Sequence, residues 1–260
     1  MHLPTSQEGR YSQSLERGLA ILRTFTPERP WLGIAEIAQQ LEMSRPTTHR
    51  YASTLVALNY LEQGRGRKYR LGMRAADPGR AAVASTVVRN IAPQLLRQLR
   101  DNSGYTASMA VLDGSHVVYV DRARSVRQGR SEVAARLGRG SRLPAATTAL
   151  GKALLAELDD DARHQALAEA ELTAAEIDKL VEELGRVRKH AVAVSDQLRI
   201  AGQICVAAAV RSKSGQAVAA VDVAVAKADC AATHAREHVG PLVRAAAEQM
   251  SAKLGYSPRS

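Results

Sequence analysis

The 260-residue sequence predicts an α+β chain with an N-terminal winged helix-turn-helix, a linker helix and a C-terminal domain around an antiparallel sheet. Three observations carry this expectation. Apolar residues recur at helical spacing in three successive short segments, which end in a basic turn between two strand-like runs. A stretch rich in Ala and Val then separates two differently patterned halves. Beyond it, two pairs of strand-like runs, each pair joined by a turn-prone segment, are interleaved with helical patterns, as in an α+β domain. The expected divisions are residues 1–74, a linker helix region at 75–99, and residues 100–260.

Each element has its own signal. Leu15, Leu19, Leu22 and Phe25 recur along a first helix that Pro27 and Pro30 stop. Ile34, Ile37, Ala38 and Leu41 mark a second, and Glu42 and Met43 a tight turn. Ser44 can cap the third helix through its hydroxyl, and Pro46 fits the first turn, where no amide hydrogen is needed. Thr48, Tyr51, Ala52, Leu55 and Leu58 form that helix's expected buried stripe. Residues 60–63 and 68–71 flank Gly64-Arg65-Gly66-Arg67 as a β-hairpin. The linker is expected to break at Pro93. Strands at 105–112 and 116–122 join across Asp113-Gly114-Ser115, a strong hairpin signal. Helices follow at 147–157, 160–168 and 174–189, strands at 203–210 and 217–225, and a final helix at 230–254.

Composition narrows the function classes. Aromatic residues are only 3%, so the core must come from Ala, Val, Leu and Ile. The longest apolar runs, such as 206–210, are far too short for a membrane span, and residues 1–10 carry no signal-peptide stretch. With two cysteines no disulfide framework is expected, and a cytoplasmic protein is expected. The net charge of +10 suits a polyanionic partner, because basic side chains displace counterions condensed on nucleic acid. Its placement says more: Arg65, Arg67, Lys68, Arg70 and Arg74 lie within residues 63–74 with no acid among them.

A helix-turn-helix reads DNA by bracing one helix while the exposed face of the next enters the major groove. Ser44, Arg45, Pro46, Thr47, Thr48, His49, Arg50 and Ser53 are the candidate contacts, with Thr54 also outward; Thr48 falls on the apolar stripe as well. Arg can engage guanine edges in bidentate fashion, and hydroxyls reach bases or phosphates. Arg65, Arg67 and Lys68 in the hairpin would add largely sequence-independent affinity. Helix-turn-helix units also serve as protein-protein modules, and a basic hairpin alone can be merely a solvated one.

The motifs resemble those of IclR-type transcription regulators. The resemblance lies in Ser14-Leu15-Glu16-Arg17-Gly18-Leu19-Ala20-Ile21-Leu22, in Gly33-Ile34-Ala35-Glu36-Ile37-Ala38 and in Arg45-Pro46-Thr47-Thr48-His49-Arg50. It continues in Lys68-Tyr69-Arg70-Leu71-Gly72, in Leu143-Pro144 with Thr148-Ala149-Leu150-Gly151-Lys152-Ala153, and in Gly202-Gln203-Ile204-Cys205-Val206-Ala207-Ala208. It covers about residues 12–255, and its opening half is most similar to the subgroup controlling aromatic-acid catabolism by the β-ketoadipate route. The resemblance implies a GAF-like effector-binding domain, assembly as a dimer or tetramer, partly palindromic double-stranded operator DNA, and a small-molecule effector, an organic acid with aromatic acids among the candidates.

Carried over by position, the resemblance implies effector contacts at Ala149, Leu150, Ser195, Gln203, Cys205, Asp222 and Ala224. Amides at the start of the helix near Ala149 would attract an anion. Ala146, Ser195, Asp222 and Ala224 depart from the residue types common in the family. An unpaired buried carboxylate is costly, so Asp222 either binds a donor-rich ligand, pairs with an Arg, or faces solvent. From Arg122 to Arg142 there are seven Arg and one Glu, which fit a solvated loop or charged edge strand better than an anion trap.

Enzymatic features are weak. Cys230, His234 and His238 share one helical spacing but lack an identifiable fourth ligand, so no metal is assigned. Cys205 has no adjacent base, and Gly151-Lys152 lacks the upstream Gly of a phosphate loop. No catalytic residue and no cofactor are expected. A tethered enzyme is the contrasting function class, and catalysis by the C-terminal half would distinguish it.

Overall fold

The computed structural model describes residues 11–84, 88–126, 137–196, 202–228 and 231–257. The chain divides into two compact units, 1–82 and 83–260, with the boundary inside a helix.

The first unit is a winged helix-turn-helix. Helix α1 (Gln13–Arg23) starts where Ser12 accepts the Leu15 amide at 3.3 Å. Strand β1 (Leu32–Gly33) leads into α2 (Ile34–Gln40), whose start is held by the Glu36 carboxylate accepting the Gly33 amide at 2.7 Å. The turn that follows places Glu42 at φ 52°. Ser44 caps α3 (Arg45–Ala57), accepting the Thr47 amide at 3.3 Å, and Pro46 lies in its first turn. Strands β2 (Leu61–Gln63) and β3 (Lys68–Leu71) form the hairpin, with Glu62 opposite Arg70, and β1 pairs with the other side of β3. Ile21, Phe25, Leu32, Ile37, Ala52, Leu61 and Tyr69 make the core.

Two expectations about this core are corrected. Leu15 and Leu19 are 64% and 47% exposed, because α1 turns Ile21 inward and leaves the Leu15–Leu19 stripe outside. Leu58 is also exposed, since it lies at the C-terminal cap of α3 and beyond the packed turns.

Helix α4 (Ala76–Ala84) spans the boundary between the units, and α5 (Ala92–Ser103) begins with Pro93 in its first turn. The expected linker helix region thus holds two helices, with Pro93, the expected break, at the start of the second. Leu95, Leu96 and Leu99 of α5 are buried in the core of the second unit.

That unit is a six-stranded, wholly antiparallel sheet in the order β6-β5-β4-β9-β8-β7. Its strands are β4 (Thr106–Asp113), β5 (His116–Ala123), β6 (Arg142–Pro144), β7 (Ala193–Ser195), β8 (Gln203–Arg211) and β9 (Ala217–Ala226). Strands β8 and β9 are rich in Ala and Val and buried on both faces, so they lack the alternation of a half-exposed strand. Helices α5, α9 (Ala232–His238) and α10 (Gly240–Lys253) cover one face. Helices α6 (Ala149–Leu155), α7 (Asp160–Leu167) and α8 (Ala174–His190) cover the other. The expected final helix is split at Val239–Gly240, with Pro241 opening α10.

Gly151 fixes how closely α6 approaches the turn before it. A Cβ there would fall 2.1 Å from the Ala145 carbonyl oxygen, so only glycine allows this packing.

Candidate nucleic-acid interface and effector site

The nucleic-acid face is built on α3. Ser44, Arg45, Pro46, His49, Arg50, Ser53 and Thr54 are exposed and Thr47 half-buried, and the helix contains no acidic residue. Arg45, His49 and Ser53 follow each other at four-residue spacing, with Pro46 and Arg50 beside them, so they share one face. Thr48 is the exception. It is fully buried and its hydroxyl donates to the Ser44 carbonyl at 3.0 Å, so it packs the helix instead of facing outward.

Arg65, Arg67 and Lys68 are exposed at the turn and start of β3. Gly66 and Arg67 take left-handed conformations, at φ 69° and 56°. The hairpin is braced from behind by Trp31. A Cβ on Gly64 would meet its indole at 2.5 Å, and the Arg70 guanidinium stacks 5.0 Å from the ring. Arg70 also donates twice to the Glu62 carboxylate, at 2.6 and 2.8 Å. Arg70 is therefore occupied in holding the wing, while the other three basic residues stand outward.

The seven candidate effector residues are all buried on the sheet face beneath α6, or on α6 itself. Register brings several together. Thr106, Ala224, Cys205 and Ser195 form one row across β4, β9, β8 and β7, and Arg122, Ser108, Asp222 and Ala207 form the next across β5, β4, β9 and β8. Gln203 stands one row further out, opposite Ala226. The Ser195 hydroxyl donates to the Thr147 carbonyl at 2.8 Å, tying β7 to the turn before α6.

Asp222 is the chemically distinctive member. It is 3% exposed, and its Oδ1 has no hydrogen-bond partner among the described residues. Burial raises its carboxyl to about 7, against the opposing effects of the Arg122 guanidinium and hydrogen bonds from Ser108. Burial, with the Asp222 charge second, pushes up both the Tyr119 phenol and the Cys205 thiol. Cys205 is thus held as an inert thiol.

Ala149 and Leu150 are packed into the apolar cluster. The amides at the start of α6 are also partly spent, since Gly151 donates to the Thr148 hydroxyl at 3.1 Å. Sequence reasoning missed Thr106, Ser108, Tyr119 and Arg122. The alternation of small polar and apolar residues along 106–110 was the available signal, for it places Thr106 and Ser108 on one face.

The Arg-rich segment is engaged within the fold where it is described. Arg122 and Arg124 donate to the Leu137 carbonyl at 3.1 and 3.0 Å, Arg139 pairs with Asp121 at 2.9 Å, and Arg142 of edge strand β6 pairs with Asp113. Arg127, Arg130 and Arg136 lie outside the described residues, as do Cys230 and the side chain of His234. Among the described residues no three His, Cys, Asp or Glu side chains cluster as metal ligands, and no helix is long and apolar enough to cross a membrane.

Residues 14–65 match the IclR helix-turn-helix domain, and residues 80–252 match the bacterial transcriptional regulator IclR C-terminal domain. The chain is 30% identical to the Pca regulon regulatory protein of Pseudomonas putida over 245 residues, covering 92% of this chain and 79% of that one. Its fold is similar to the crystal structure of an IclR family transcriptional regulator from Brucella abortus, with TM-score 0.78, 25% identity and coverage of 95% and 94%. It is also similar in fold to an IclR homolog from Microbacterium hydrocarbonoxydans, solved in complex with 4-hydroxybenzoate, with TM-score 0.74, 22% identity and coverage of 93% and 99%. Relatives in this set are named as transcriptional regulators and repressors. With one domain model over the α1–α3 segment and another over most of the remaining chain, this protein belongs to the IclR family of transcriptional regulators.

Proposed function

We propose that the protein acts in the cytoplasm as a dimer or tetramer on a partly palindromic operator, and that a small aromatic acid bound beneath α6 sets its affinity for that DNA. The observation that carries the DNA half is the acid-free outer face of α3, with Arg45, His49, Arg50 and Ser53 exposed together beside the basic turn of the wing. Arg45 and Arg50 would address base edges in the major groove, and Arg65, Arg67 and Lys68 the phosphates. Self-association is supported by exposed Leu15 and Leu19 on α1 and Tyr11 just before it, apolar surface that a second copy would cover. Two copies would present two recognition helices to half-sites about one helical turn apart.

The acid reading is supported by the polar row at Ser108, Asp222 and Arg122, beside Thr106 and Ser195 in the next row, on a helix-covered face. The IclR homolog of similar fold from Microbacterium hydrocarbonoxydans was itself solved with 4-hydroxybenzoate, an aromatic acid. The test is selection of bound duplexes from a random-sequence library by the full chain, followed by titration of the selected site with benzoate and hydroxybenzoates. A recurring inverted-repeat motif whose affinity responds to an aromatic acid supports the proposal; enrichment without any shared motif contradicts it.

A further inference from the structure

Beside the reading face of α3 lies a side-chain cluster that neither the base-edge contacts nor the wing makes use of. Tyr51 sits half-buried on α3, packed against the core of the first unit. Its phenol oxygen accepts hydrogen bonds from Ser14, and then from Arg50 and Arg17, which hold the phenol below its ordinary value against the effect of burial. Ser14 and Arg17 belong to α1 and Arg50 to α3, so one oxygen joins the two helices. The Arg50 guanidinium also lies 5.6 Å from the centre of the Tyr51 ring.

The charge of this cluster is unbalanced. Two guanidiniums converge on a neutral phenol, and among the described residues no carboxylate acts on it. Helix α3 has no acidic residue, and Glu16 of α1 accepts a hydrogen bond from the Tyr11 hydroxyl. Arg17 and Arg50 take part in no ion pair among the described residues. Like charges brought together repel, and an anion placed against them relieves the repulsion. An arginine carries five N–H donors, so one bond to the phenol leaves most of the fork free for that anion.

Resting on the DNA-binding reading above, we infer that Arg17, held in place by Tyr51, seats a backbone phosphate of the bound duplex along the flank of α3. A helix lying in the major groove has a phosphate backbone on either side of it, and contacts to those phosphates fix its register. The wing reaches the backbone from the β-hairpin, and Arg17 reaches it from α1. Arg17 touches the phosphate; Tyr51 is a positioning residue that acts through it. Phosphates are alike in every sequence, so this contact adds affinity that depends on salt and not on the base pairs.

A salt series in fluorescence anisotropy, with the full chain on a mixed-sequence duplex, tests this. The variants are Arg17→Ala, Arg17→Gln, Tyr51→Phe and the double variant of Arg17→Ala with Tyr51→Phe, with Arg67→Ala as the wing control. The slope of log affinity against log salt should fall by about 0.9 in Arg17→Ala and Arg17→Gln, one phosphate contact. Arg17→Gln keeps a donor for the phenol oxygen and serves if the Ala variant does not fold. Tyr51→Phe removes the oxygen but keeps the ring that Arg50 stacks on. It should weaken binding about two- to tenfold in the wild-type background and less than about twofold in Arg17→Ala. A cluster that merely braced α1 against α3 would lower thermal stability in these variants and leave the slope alone. An unchanged slope in the Arg17 variants overturns the inference, and a slope that still falls in Arg67→Ala then leaves the DNA-binding reading standing. A Tyr51→Phe effect of equal size in both backgrounds also overturns it. Absence of binding to the duplex by the wild type overturns both.

Discussion

At the scale of single residues, the protein keeps an acid in a place where acids are unstable. The Asp222 carboxyl moves from its ordinary 3.8 to about 7 because burial disfavours the charged form. A raised acid binds its proton more tightly in the folded chain than in the unfolded one. Folding stability from this group is thus greatest below pH 4 and is lost progressively as pH rises toward 7, by about 4 kcal/mol in total. Asp222→Asn, which cannot ionise, should therefore gain on wild type by a few kcal/mol between pH 5 and pH 8 in denaturant unfolding of the ligand-free protein. A stability difference that stays flat with pH would mean the carboxyl is not raised. Arg45 and Arg50 belong to this scale too. Arg45→Ala or Arg50→Ala should cost about 1–3 kcal/mol of discrimination against altered half-sites, measured by competition with mutated duplexes. Unchanged sequence preference in both would remove them from the reading face. Ser44 as a cap and the outward run from Arg45 were visible in the sequence because capping and helical spacing are local. Thr48 was read from the sequence both as part of the buried stripe and as a candidate contact; its side chain turns back onto the Ser44 carbonyl and is buried, which agrees with the first reading and not the second.

At the scale of elements, the wing shows two kinds of residue with separable effects. Arg67 and Lys68 are exposed, whereas Trp31 and Arg70 hold the hairpin from behind. Arg67→Ala and Lys68→Ala should each lower the slope of log affinity against log salt by about 0.9, one phosphate contact apiece. Trp31→Ala should weaken binding to all duplexes several-fold, consistent with losing a stacking contact of about 0.5–1 kcal/mol, but leave the salt slope intact. A salt series in fluorescence anisotropy separates the two, and a slope change in Trp31→Ala would contradict the bracing role. The hairpin itself was legible from Gly64-Arg65-Gly66-Arg67. Strands β1, β6 and β7 were not, because two or three residues carry no period, and only pairing with β3, β5 and β8 makes them strands. Helix α1 misled for a different reason. Of the stripe read from spacing, Phe25 is buried and Leu22 partly so, but Leu15 and Leu19 are exposed, and the fully buried Ile21 was not singled out because the helix is apolar on more than one face.

At the scale of the whole molecule, sequence order made the division into a DNA-binding unit and a sheet domain readable, and the core composition of Ala and Val followed from the lack of aromatics. The candidate effector site was readable only in part. Asp222 stood out as a lone acid on an apolar strand, but Ser108, Tyr119 and Arg122 come from other strands and meet it only through register. A ligand there can govern DNA binding only through a difference in its affinity for the operator-competent and operator-incompetent forms. That condition is reciprocal: operator and ligand must change each other's affinity by the same factor. The most direct test measures both arms on the full chain, operator affinity with and without saturating hydroxybenzoate by anisotropy, and hydroxybenzoate affinity with and without operator by calorimetry. Equal factors in the two arms, of about five or more, are predicted. Hydroxybenzoate binding with operator affinity unchanged would contradict the claim that the sheet domain controls the helix-turn-helix.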